Sequence, residues 1–116
     1  MNDAQILNKN TINSLQEILE DGIFDIMSDY KTQTENFIIE LKVAQENNDI
    51  EKIIHIAHTI KGSSGSLGLE KILGLTHNLE TTLREGKDID LPKTISEICD
   101  AFDQTITELI ANNYLT

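Results

Sequence analysis

Apolar residues recur at three- and four-residue spacing along almost the whole chain, and only one proline, Pro92, interrupts them. That period places apolar side chains on one face of an α-helix, while alternating strand-like runs are few, so the pattern predicts an all-α fold. A short first helix is expected over about 11–20, with Thr11 as its N-cap. Longer helices are expected over about 23–46, 50–66, 69–85 and 92–112. Asn47 and Asn48 separate the first two of these, and Asp49 is placed to cap the next. Gly68 and Gly86 suit helix ends, and Pro92 suits a first turn. Short connections imply antiparallel neighbours. The expected architecture is an up-down antiparallel four-helix bundle with an additional short N-terminal helix, one domain spanning the 116 residues.

Charge narrows the partners. The formal net charge is −11, which argues against nucleic acid and against anionic membranes, since both call for a basic surface. The N-terminal MNDAQILNKN lacks the pattern of a secretory signal, and no apolar run approaches a membrane span, so a cytoplasmic protein is expected. The initial Met suits a free-standing protein, although a piece of a larger kinase would read the same way. The single cysteine, Cys99, excludes an intrachain disulfide and reads as a small, buried apolar residue. The acid is uneven: residues 52–87 carry five basic and three acidic side chains, whereas both flanks are strongly acidic.

Within that less acidic stretch lies HIAHTIKGSSGSLG, residues 55–68. Glycine in a helix interior costs about 1 kcal/mol relative to alanine, so Gly62 and Gly65 ask for a reason. With His58 set at zero on a helical wheel, Ile53, Ile56, Ile60 and Leu67 fall between about 160° and 220°, the core stripe. Glu51, Ile54, His55, Lys61, Gly62 and Gly65 fall within about 60° of His58. The histidine is thus expected to be exposed, with Lys61 and Gly62 one turn away. The glycines clear space for another protein to approach the ring. Lys61 would stabilise an anion there, and Ser63 and Ser64 would assist it. A neutral imidazole is a competent nucleophile, so phosphate chemistry fits. Ile54 is either a partner contact or packs beneath the second helix.

Glu80 has a similar logic. In a hairpin about Gly68, His58 and Glu80 would be level to within about 3 Å. A carboxylate on the edge of the stripe formed by Leu69, Ile72, Leu73, Thr76, Leu79 and Leu83 wants a partner. It would either orient the His58 ring or bridge to a lysine.

The segment AHTIKGSSGSLGLEKI, residues 57–72, resembles the signature of histidine-containing phosphotransfer (Hpt) domains. The matching positions are His58, Lys61, Gly62 and Gly68, with Ser63 and Ser64 at its common small residues. The resemblance implies a four-helix bundle whose exposed histidine exchanges a phosphoryl group with an aspartate on a response-regulator or hybrid sensor kinase receiver domain. It implies His58 as phospho-acceptor, Lys61 as phosphate neutraliser and Gly62 as steric clearance. Around them, Ile54, His55, Ser64 and Gly65 are expected at the partner surface. The family often has glutamine where this chain has Glu80. The chain itself would need no cofactor and no metal, would lack its own ATP-dependent kinase activity and would act as a monomer, with Mg²⁺ on the receiver.

Three other readings compete with this one. A helical interaction module without chemistry would leave His58 a surface residue. A metal site could draw on His55 and His58 with His77 and Glu80, but the duplicated inward Glu-x-x-His pattern is missing. A Ser-His hydrolase would need an oriented third group and an oxyanion hole, and the serines merely follow His58 along one helix.

Overall fold

The computed structural model describes residues 5–116, so Met1–Ala4 of the expected domain lie outside the described residues. Five helices follow in order: α1 (Lys9–Leu19), α2 (Gly22–Glu46), α3 (Ile50–Ser66), α4 (Glu70–Arg84) and α5 (Leu91–Ala111). Among the described residues there is no strand. The last four helices pack as a ring in which α2 touches α3 and α5, and α4 touches α3 and α5. Cross-links show neighbouring helices running antiparallel. Tyr30 near the start of α2 meets Ser64 near the end of α3 at 2.8 Å, while Glu40 later in α2 pairs with Lys52 at the start of α3. Lys71 at the start of α4 donates to Gln104 late in α5.

The core is aliphatic. Ile23, Met27 and Leu41 from α2, Ile53, Ile56 and Ile60 from α3, Ile72 and Leu79 from α4, and Ile98 and Leu109 from α5 are all fully buried. Burying each such side chain contributes about 1.5–3 kcal/mol, so the ring is held by its interior. No helix among the described residues is long and apolar enough to cross a membrane.

Helix ends follow local chemistry. Asp49 caps α3 by accepting from the Lys52 backbone N–H at 3.2 Å, and Asp90 caps α5 by accepting from Lys93 N–H at 3.0 Å. The start of α1 corrects the sequence reading. Asn8, not Thr11, is the N-cap, and its side chain accepts from the Thr11 N–H at 3.2 Å. The shift has a tertiary cause: Asn8 N–H donates to the Gly68 carbonyl at 2.7 Å and Glu70 N–H donates to the Ile6 carbonyl at 3.0 Å. The segment before α1 is thereby fixed against the α3–α4 turn, and the helix begins as soon as the chain leaves it. Gly68 takes φ +73 at that turn, and a Cβ there would lie 2.9 Å from the Thr11 Cβ. The other boundaries differ from expectation by no more than one residue.

Candidate functional site

Midway along α3, helical geometry sends Ile56, Ala57 and Ile60 inward and leaves His58 on the outer face, its side chain 58% exposed. The α3–α4 hairpin brings Glu80 to the same height. Glu80 is the one buried carboxylate among the described residues, with its side chain 6% exposed. Its Oε2 accepts from His58 Nδ1 at 2.9 Å. The same oxygen accepts from Arg84 Nε at 2.7 Å, one turn further along α4. Its Oε1 faces the Lys61 ammonium at 2.7 Å, as an ion pair whose angle departs from a directed hydrogen bond. One carboxylate therefore collects one imidazole and two permanent cations.

Burial alone would raise the carboxyl pKa of Glu80. The contacts from Lys61, Arg84 and His58 oppose that and more than offset it, lowering the pKa to about 2. Glu80 is a carboxylate at neutral pH and can only accept. A neutral His58 must then carry its proton on Nδ1, which leaves the Nε2 lone pair free on the exposed side of the ring.

The surroundings sort the remaining sequence candidates. Gly62 is exposed, and a Cβ built on it would have nothing within 4 Å. The fold itself does not require glycine there. Gly65 is exposed too, and its Cβ would make ordinary contact with Leu73 of α4 at 3.5 Å. Ile54 and His55 line an open groove of about 490 Å³ with Glu51, Leu83 and Arg84. Ile54 is half-buried and faces that α3–α4 groove.

Ser64 is a correction. The sequence reading placed it at the partner surface, but it is fully buried and bonded to the Tyr30 hydroxyl. On the wheel it lies about 240° from His58, at the edge of the core stripe, and a buried hydroxyl there needs an internal partner. Ser63 also turns away from the imidazole, donating to the Thr59 and Ile60 carbonyls of its own helix. Neither serine is arranged to assist at His58, and no Ser-His pair exists there. Among the described residues no three His, Cys, Asp or Glu side chains cluster as metal ligands. Glu80 is instead occupied by two cations, which compete with any metal. Cys99 is half-buried rather than buried.

Arg84 is the site residue that sequence reasoning missed. Its signal was present: Glu80 and Arg84 stand at i and i+4 on α4, a spacing that pairs opposite charges on one helix face.

Comparison with known proteins falls on the same fold and segment. The Hpt domain family model matches residues 25–111. A sensor histidine kinase, CheAY of Helicobacter pylori, is 36% identical over 77 residues, covering 66% of this chain and 10% of that protein. The chain thus spans about a tenth of the length of that relative. The crystal structure of histidine-containing phosphotransfer protein B (HptB) from Pseudomonas aeruginosa PAO1 superposes with a TM-score of 0.88 at 24% identity, covering 95% of this chain and 96% of that one.

Proposed function

Because this chain belongs to the Hpt domain family, the histidine phosphocarriers of two-component phosphorelays, we propose that His58 is its phospho-acceptor. The observation that carries this reading is the pairing of an exposed imidazole with a buried, ionised carboxylate through Nδ1 at 2.9 Å. Nε2 is then the nucleophile.

The step on this chain is an in-line transfer. The Nε2 lone pair attacks the phosphorus of an aspartyl phosphate on a receiver domain. The N–P bond forms, the acyl phosphate O–P bond breaks, and the receiver aspartate leaves as a carboxylate. The Nδ1 proton stays on the ring, which becomes cationic, and Glu80 stabilises that charge through the existing hydrogen bond. Lys61 is 26% exposed and close enough to offset charge on the incoming phosphoryl oxygens. Gly62 leaves the approach to the ring open. The reverse sequence returns the phosphoryl group to a receiver. Ile54, His55 and Gly65 supply partner contacts around the ring.

The same reading assigns the chain no cofactor or metal of its own and no ATP-dependent kinase activity. Mg²⁺ belongs to the receiver, which is part of a response regulator or hybrid sensor kinase. It also assigns a monomeric carrier in the cytoplasm.

The test is phosphoryl transfer from phosphorylated receiver domains to the wild-type chain and to His58→Gln. Acid-labile label on the wild type alone is expected. Label that survives His58→Gln would overturn the assignment, and measurable receiver binding without label would favour a docking module.

A further inference from the structure

Arg84 and His58 donate to the same oxygen. Oε2 of Glu80 lies 2.7 Å from Arg84 Nε and 2.9 Å from His58 Nδ1, while Lys61 takes Oε1. A carboxylate beside an imidazole ordinarily favours the doubly protonated ring, because the ion pair is worth more than the neutral hydrogen bond. An imidazolium has no free lone pair and cannot act as a nucleophile. Glu80 therefore brings a hazard together with its orienting bond, and the two cations bear on it. With Lys61 and Arg84 in place, the single negative charge is already over-compensated, and a protonated ring would add a third positive charge around one carboxylate.

We propose that Arg84 is a positioning residue of the phosphotransfer site: by occupying Oε2 of Glu80 it keeps the carboxylate an acceptor for His58 Nδ1 and disfavours a further positive charge on the ring, so that the Nε2 lone pair stays available. The proposal rests on the reading of His58 as phospho-acceptor. It also divides labour between the cations. When Lys61 turns toward a phosphoryl group, Arg84 remains on Glu80 and keeps its charge offset. The guanidinium suits this task because it is permanently charged and its side chain is 56% exposed, so it stabilises the carboxylate without being buried itself.

The other charged groups around His58 are few. On α3 they are Glu51 and His55 in addition to Lys61, and on α4 they are His77 in addition to Glu80 and Arg84. On the α2 side, Asp29 lies beyond Ser63, and Glu40 is paired with Lys52. Glu80 is the charged side chain bonded to the His58 ring, and Lys61 and Arg84 both contact that carboxylate. A cation in the last turn of α4 would also be favourable for the helix alone. That bland role would leave the titration of His58 untouched, and the experiment separates the two.

The protonation of His58 is followed by NMR across pH in the full chain for wild type, Arg84→Gln and Arg84→Lys, with thermal unfolding as a check on folding. Arg84→Gln keeps a donor and removes the charge. It is expected to raise the His58 midpoint by about 0.5–1 pH unit, the size of one screened unit charge at this range. Arg84→Lys, which keeps the charge, is expected to return most of that shift. The acid limb of receiver-to-His58 transfer should move with the midpoint, slowing Arg84→Gln about 3–10-fold below pH 6, with the loss shrinking as pH rises. A His58 midpoint in Arg84→Gln equal to wild type would overturn the proposal, as would Arg84→Lys behaving like Arg84→Gln. If the midpoint moves as expected while wild type takes no phosphoryl group from any receiver, the electrostatic role of Arg84 stands and the phospho-acceptor reading fails.

Discussion

Gly62 and Gly68 sit less than two helical turns apart, yet they answer to different demands. Gly68 takes φ +73, and a Cβ there would press on Thr11 at 2.9 Å and on the Asn8 carbonyl oxygen at 3.1 Å. The turn between α3 and α4 requires this glycine, because the chain before α1 packs onto it. A Cβ at Gly62 would meet nothing within 4 Å. There the fold would be served better by alanine, and the helix forgoes about 1 kcal/mol. A residue that the fold does not need, beside an exposed histidine, is best explained by something outside the chain. The difference teaches how to separate folding constraints from functional ones without an alignment: ask what each residue touches within its own molecule.

The largest effect should fall on His58, where His58→Gln removes transfer altogether while the melting temperature stays near wild type. The contrasting lesion is Gly68→Ala. It should destabilise by about 2 kcal/mol or more in denaturant unfolding, since both backbone strain and a clash contribute. The fraction that remains folded should still accept label. Gly62→Leu sharpens the comparison, because its two readouts move in opposite directions. Stability should rise by about 0.5–1 kcal/mol, while transfer falls at least about tenfold as the side chain enters the partner's path. A transfer rate equal to wild type would remove the clearance argument. Ser64→Ala should cost about 1 kcal/mol by removing the buried bond to the Tyr30 hydroxyl, with receiver affinity unchanged.

A further effect appears in acid. The folded pKa of Glu80, about 2, lies below its ordinary value of 4.5, so its contribution to stability is present above about pH 4.5 and is lost as pH falls through about 2. Wild type should therefore lose stability relative to Glu80→Gln across that window. A constant difference between the two, measured by thermal unfolding from pH 5 to pH 2, would show that the carboxylate is not held by its cations.

Much of this was legible in the sequence because helices are periodic. The wheel that placed His58 outside and Ile53, Ile56 and Ile60 inside needed only the 100° turn. The level of Glu80 needed only the turn at Gly68 and the rise per residue. What escaped depended on side chains crossing between elements. Ser64 was assigned to the surface by its motif neighbours, although its own angle pointed toward the core and its hydroxyl had Tyr30 to meet. Thr11 was a sound local cap, but the Asn8–Gly68 contact moved the helix start. Arg84 stands one turn from Glu80 on α4, a pairing the spacing shows, but the convergence of His58 and Lys61 on the same carboxylate depends on how α3 packs against α4.

The central claim is that Glu80 holds Nδ1 and leaves Nε2 of His58 to carry the phosphoryl group. Phosphorylating the ¹⁵N-histidine-labelled chain from a receiver and reading the phosphorus–nitrogen coupling by NMR tests it most directly. Coupling to Nε2 of His58 is the predicted result; coupling to Nδ1 of His58, or to either nitrogen of His55 or His77, would contradict it.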